Sequence, residues 1–412
     1  MTTRQALPLY HTSVSSLRVR DFLDVRLSAN AAYWRSVEEF ESAYGSAHGA
    51  AEAVLVPTGR DGLRFILEFL RTPGRTRVVV PALGDSSIME MVLDAGLVPV
   101  PAPVRPSDGT LDLGRVEPLL DRHVLAVIPV HLFGRACQVE RLAEMTSRQG
   151  IQLVEDCAHA PLTQHQGRWL GTFGIASFTS FAPFKLIDCG GGGMVLTNDR
   201  RLAAAVRAVA RRHVPIGLGS LAARSLASVA LSLGTSRMPY DLVGHPLYLR
   251  MGSGGHAVRF YEDRVRPLLK HGADEGVRGL PALPFVRSGL RQLIGLASRL
   301  GNQQRLAGLL RRGLPLGLLL EGDAGSGSSE YAQVASFADR DRAMRVLVRR
   351  GIDAVPNPAE AWGDCPVARR LQREGVLLPW FDKMADQDVD LLRKALVEAA
   401  GTIGHGPGAA FD

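Results

Sequence analysis

Leu153-Val154-Glu155-Asp156-Cys157-Ala158-His159, then Ser180-Phe181-Ala182-Pro183-Phe184-Lys185, then the glycine run 190–193, is the stretch from which the fold is read. It sets short apolar runs, each passing into polar or glycine-rich residues, in the pattern of parallel strands that end at loops. Working outward, residues 53–56, 77–80, 97–100, 126–129, 152–154, 176–179 and 193–197 read as strands. Residues 60–70, 86–95, 138–149 and 200–212 carry apolar side chains at helical spacing between them. This alternation predicts an α/β fold with a mainly parallel seven-stranded sheet. In such sheets ligands collect beyond the carboxyl ends of the strands, so the residues following each run are the ones to inspect.

The whole chain has 412 residues, of which 46% are apolar. That length predicts a large domain plus a smaller one. The net charge of +7 comes mainly from arginines in pairs (211–212, 311–312, 349–350) interleaved with acids, the composition of solvated helix faces. No helix-turn-helix, zinc or RNA-recognition pattern accompanies it, which argues against nucleic acid; the surplus suits an anionic small substrate. Cys137, Cys157, Cys189 and Cys365 have no paired spacing, so neither a metal site nor a disulfide framework is expected. The amino terminus has no apolar run behind a basic start, from which a cytoplasmic location is expected.

Residues 213–284 break the alternation. Their apolar part, 216–233, contains Arg224, and the stretch reads as a helical insertion, with contact to a membrane surface as the less favoured alternative. Helical spacing returns to about 312, a Gly/Ser stretch spans 322–329, and 334–337, 341–350, 352–355 and 386–399 read as strand, helix, strand, helix.

Three needs of pyridoxal 5′-phosphate (PLP) chemistry can be met by these segments. A carboxylate must face the pyridine nitrogen and keep it protonated, and Asp156 follows an apolar strand. A lysine must carry the cofactor and move protons, and Lys185 stands in an apolar, glycine-rich setting that would lower its pKa. The phosphate needs backbone N–H groups at a helix start, which Thr58-Gly59-Arg60 offers, with the Ser180 hydroxyl beside it. Singly, each residue has a plainer account: Asp156 a helix cap, Lys185 a solvated charge, Thr58-Gly59 a turn, His159 a satisfied polar group. Their combination and order favour the cofactor.

Residues 33–212 resemble the DegT-type sugar aminotransferases, fold type I PLP enzymes. The resemblance is carried by Val37-Glu38-Glu39-Phe40-Glu41-Ser42-Ala43-Tyr44, Thr58-Gly59-Arg60-Asp61-Gly62-Leu63, Val79-Val80-Pro81-Ala82, Pro129-Val130-His131-Leu132-Phe133-Gly134, the three segments quoted at the outset, and Met194-Val195-Leu196-Thr197-Asn198-Asp199. It resumes more weakly after residue 287, at Arg349-Arg350-Gly351-Ile352-Asp353-Ala354 and Val376-Leu377-Leu378-Pro379. The resemblance implies Lys185 as the Schiff-base lysine, Asp156 at the pyridine nitrogen, His159 near the ring hydroxyl, and Gly59, Arg60 and Ser180 around the phosphate. Three departures stand out. Asp85 occupies the place of the family's stacking aromatic, Arg60 replaces a small hydroxyl residue, and Phe285, before Arg287, replaces an asparagine lent by the partner subunit.

The expected organisation is an N-terminal arm (1–50), a PLP-binding large domain (51–212), the insertion (213–284), connecting helices and linker (285–330), a small α+β domain (331–400) and a flexible tail (401–412). The expected activity is transfer of an amino group, from glutamate or glutamine, to a keto or aldehyde acceptor that is sugar-like or a secondary-metabolite precursor, in a homodimer. Elimination, cyclisation or condensation by the same cofactor, and a non-catalytic relative that binds a partner or membrane, are the alternatives.

Overall fold

The computed structural model describes Leu7, residues 30–216, Ser225, residues 279–323 and residues 327–403. Nearly all of the expected insertion and the tail beyond residue 403 lie outside the described residues.

Helix α1 (Asn30–Ala47) precedes the sheet. The chain then runs β1 (Glu52–Val56), α2 (Gly59–Leu70), β2 (Arg77–Pro81), α3 (Ser86–Asp94), β3 (Val98–Ala102), β4 (Val124–Val127), α4 (Val139–Arg148), β5 (Gln152–Asp156), β6 (Ala176–Ser180), β7 (Gly193–Thr197) and α5 (Arg200–Ala210). The seven strands lie in the order β1-β7-β6-β5-β4-β2-β3. Only β7 runs against its neighbours, pairing antiparallel with both β1 and β6. The carboxyl ends of the other six strands and the start of β7 therefore share one rim.

The strands read as apolar runs because both faces are covered. Val54, Val56 and Val195 pack with the α2, α3 and α5 side of the core, while the alternate residues Ala53, Leu55, Met194 and Leu196 pack with α1 and α6 (Leu283–Ile294). Residues 1–50, expected to form an arm, instead contain the ordered helix α1. It buries Tyr33, Val37, Phe40 and Tyr44 on one face.

After α6 come α7 (Leu296–Arg311), β8 (Val334–Ser336), α8 (Arg340–Arg349), β9 (Val355–Pro356), α9 (Pro366–Glu374), β10 (Gly375–Leu377) and α10 (Asp386–Ile403). The small sheet has the order β8-β10-β9. The strand expected at 352–355 is shifted: Ile352 makes only an isolated bridge to Leu7, and pairing with β10 begins at Val355. Its centre, β10, and the helix α9 before it were not foreseen. Leu320, Val334, Val355, Leu371 and Leu377 join the core beside the large sheet, so this part is packed against the rim. Among the described residues no helix is long and apolar enough to cross a membrane.

One buried carboxylate organises the approach to β6. Glu155, fully buried on β5, accepts from the backbone N–H groups of Gly171 (2.8 Å), Phe173 (2.7 Å) and Gly174 (3.1 Å). His131 Nδ1 accepts from the Cys137 N–H (3.2 Å), which leaves Nε2 to donate to Glu155 (3.3 Å). The donor atoms of His131, Glu155 and Cys157 lie within 4.8 Å of one another, and those of the first two are spent on these bonds. Replacing Glu155 by Leu should strand one buried and two half-buried amides and cost about 2 kcal/mol or more, read as a lower denaturant midpoint; an unchanged midpoint would refute this role.

Candidate active site

The turn after β1 begins the site. Thr58 caps α2, its hydroxyl oxygen accepting from the Asp61 N–H (3.0 Å). Gly59 follows where a Cβ would lie 3.0 Å from the Thr179 carbonyl and 3.2 Å from Ser180 Cβ, so the helix start sits directly on the end of β6. The glycine run closes the other side: Thr58 bridges Gly192, whose φ of +92° favours glycine. A helix amino terminus of this kind presents N–H groups and positive potential to an anion.

Asp85 ends the loop after β2 and caps α3, accepting from the Ser87 N–H (2.9 Å). Its carboxylate is 3.9 Å from the Arg60 guanidinium. Burial would raise its pKa, but the bonds from Ser87 and the positive charges of Arg60 and Lys185 outweigh that and hold it below the usual range.

Asp156, at the end of β5, is buried and accepts from the Ala158 N–H (2.8 Å). Burial pushes its carboxyl up to about 6, against the opposing pull of that N–H and of Lys185. Lys185 lies in the loop after β6, and burial lowers its pKa, opposed by the charges of Asp156 and Asp85. His159 is held well below its ordinary value, first by burial and then by Lys185, so it is neutral. Its Nδ1 accepts from the Phe133 N–H (3.3 Å) and its ring stacks on Tyr331 at 4.3 Å. Lys185 Nζ lies 5.5 Å from the centre of the same Tyr331 ring.

All eight residues singled out in the sequence, Thr58, Gly59, Arg60, Asp85, Asp156, His159, Ser180 and Lys185, line one cavity of about 210 Å³. They come from four different loops, and the common rim brings them together. Tyr331 is not singled out by the sequence, and Phe133 enters it only as part of the segment Pro129 to Gly134, with no role at the site. Tyr331 follows a Gly/Ser stretch with no motif around it, and only the packing of residues 331–400 against the rim reveals it.

The cavity suits pyridoxal phosphate. Its walls hold an amine with a depressed pKa, a carboxylate that burial disfavours as an anion, and a helix amino terminus with an arginine. A cationic ring nitrogen would relieve the cost of ionising Asp156, and a phosphate would accept from the backbone at Gly59 and from Arg60, whose guanidinium can bind it through two bonds.

Residues 18–215 match the model of the DegT/DnrJ/EryC1/StrS aminotransferase family. The resemblance read in the sequence therefore holds over that segment. The chain is 37% identical over 175 residues to the dTDP-3-amino-3,4,6-trideoxy-alpha-D-glucose transaminase of Micromonospora megalomicea subsp. nigra, covering 42% of this chain and 46% of that protein. It is 32% identical over 188 residues to the L-glutamine:scyllo-inosose aminotransferase of Streptomyces griseus, covering 44% of each. The chain thus spans less than half the length of these curated relatives. The fold match is longer: PseC of Helicobacter pylori, an aminotransferase involved in the biosynthesis of pseudoaminic acid, superposes over 97% of this chain and 99% of that one with a TM-score of 0.69 at 16% identity. The fold is that of the fold type I aminotransferases.

Burial sets a pH dependence for the protein without cofactor. Asp156 binds its proton more tightly when folded (about 6) than at its ordinary value of 3.8, so its contribution favours the fold below that ordinary value and is lost as pH rises to about 6. Wild type should therefore lose stability relative to Asp156→Asn across that window, measured as the difference in denaturant midpoints. A difference that does not vary with pH would contradict the assignment.

Proposed function

We propose that this chain is a PLP-dependent aminotransferase that moves an amino group from an amino acid donor, glutamate or glutamine, to a keto or aldehyde acceptor. The observation that carries the reading is the convergence of Lys185, Asp156 and the start of α2 on one cavity. Bound PLP supplies an electron sink for the pair of electrons left at the substrate carbon when its proton departs.

The chain's own residues divide the rest of the work. Lys185 would hold the cofactor and would move a proton at the donor carbon as general base and acid; its lowered pKa makes the neutral amine available. Asp156 holds the proton on the pyridine nitrogen, and its buried setting strengthens that ion pair. His159, neutral, orients the ring hydroxyl. The amides at Thr58-Gly59-Arg60, the Arg60 guanidinium and Ser180 bind the phosphate. Over a full cycle the donor gains a carbonyl and the acceptor an amine, so no outside oxidant or reductant is consumed. We place the reaction in the cytoplasm and in a homodimer, the latter being what the family resemblance implies.

Asp85 gives the site an unusual border, since an acid caps α3 where the family stacks a ring. Asp85→Phe should weaken the helix cap by about 1 kcal/mol while tightening PLP binding, checked by thermal unfolding and by titration with PLP. Looser binding would refute a stacking deficit at this position.

The direct test is optical. Wild-type protein mixed with PLP should develop a visible absorption band that Lys185→Ala does not form with the same spectrum, and glutamate or glutamine alone should discharge it. A band that no amino donor discharges would rule out transamination.

A further inference from the structure

Lys185 stands in a loop, residues 181–192, whose neck is closed by backbone bonds. The Phe181 carbonyl accepts from the Cys189 N–H (3.0 Å) and the Gly191 N–H (3.1 Å), and the Phe181 N–H donates to the Gly192 carbonyl (2.9 Å). After the lysine the loop is held from outside. The Leu186 carbonyl accepts from the Arg299 guanidinium (2.9 Å). Gln292 of α6 brackets the backbone of Asp188, donating to its carbonyl (2.7 Å) and accepting from its N–H (3.0 Å).

Before the lysine the chain is held differently. Phe184, with a φ of +71°, adopts the left-handed region that a bulky residue avoids. Such a conformation persists only where the surroundings impose it. Here both of its backbone polar groups are gripped: the carbonyl accepts from the Tyr331 hydroxyl (3.3 Å), and the N–H bonds to the side-chain carboxylate of Asp188. The same carboxylate accepts from the Gly190 N–H (2.7 Å). That second bond alone would be an ordinary turn. The reach back to Phe184 joins the two limbs of the loop across Lys185.

This carboxylate has no other evident use. It is half-buried, and no positive charge among the described residues assists it: burial pushes it up to about 6, against the pull of the two N–H groups. Nor does its charge act on the amine, since the acids that raise the Lys185 pKa are Asp156 and Asp85. What Asp188 contributes is geometry.

We infer that Asp188 is a positioning residue for Lys185: by tying the N–H groups of Phe184 and Gly190 to one carboxylate, it fixes the turn that aims the amine into the cofactor cavity. The inference rests on the transaminase reading for what the amine holds, and on the loop alone for how the amine is held.

Competitive acetylation of the cofactor-free protein with acetic anhydride, followed by mass spectrometry from neutral to alkaline pH, reads the acid constant of the Lys185 ammonium. Asp188→Ala should lower that constant roughly tenfold, because an amine that swings out of the cavity regains water and loses the burial that depresses its pKa. Asp188→Ser, should the first variant not fold, keeps a hydroxyl for the Gly190 turn but cannot reach Phe184, and should act alike. Asp188→Asn keeps the reach and an acceptor oxygen, and should stay within about threefold of wild type. A constant unmoved in the Ala and Ser variants would make Asp188 a merely structural residue and overturn the inference, as would an Asn variant no better than Ala. In a second arm, the Ala and Ser variants should need roughly tenfold more PLP than wild type to reach the same visible band. Equal demand for PLP overturns the inference and leaves the transaminase reading standing. No band in wild type, with the acid constant falling as described, sinks the transaminase reading and leaves the positioning role intact.

Discussion

A half-buried amine and a buried carboxylate facing one cavity is the constraint on which everything else here depends. Each is costly to charge in that setting, and each lowers the other's cost: Lys185 pulls the Asp156 pKa down, and Asp156 pulls that of Lys185 up. A folded chain has little reason to place both at one rim for stability alone, because apolar residues of similar volume would pack there at lower cost. A ligand with a basic ring nitrogen at one end and an aldehyde at the other would turn that liability into binding.

The architecture explains how residues so far apart in sequence share the cavity. Six strands end at one rim and β7 starts there, so Thr58, Asp85, Asp156 and Lys185 are brought together by sheet order. Glu155 shows the support behind this. By holding the loop 171–174 through three amides it fixes where β6 begins, and hence where the loop bearing Lys185 emerges. Its neighbour Asp156 points its chemistry into the cavity from the same strand, so adjacent acids serve the scaffold and the site respectively.

Most of this was legible in the sequence wherever one local signal decided the outcome. The seven strands were readable because covered strands are written as plain apolar runs, and the four crossover helices because their apolar spacing is helical. Helix α1 is equally readable in the positions of Tyr33, Val37, Phe40 and Tyr44, which recur on one helical face. The strand β10 was hidden because three residues carry too little pattern, and its place at the centre of the small sheet depends on partners on both sides. Tyr331 and the role of Phe133 are invisible for another reason. Their importance lies in where their rings and polar atoms point, which long-range packing decides and neighbouring sequence does not. Asp85 was recognised as a departure, and the structure adds that it caps α3 and faces Arg60.

The central claim is that Asp156 meets the ring nitrogen of a cofactor carried by Lys185. The most direct measurement is the nitrogen-15 NMR shift of PLP labelled at that nitrogen and bound to the protein at neutral pH. The account predicts the shift of a protonated pyridine in wild type and of an unprotonated one in Asp156→Asn. The same unprotonated shift in both proteins would contradict it.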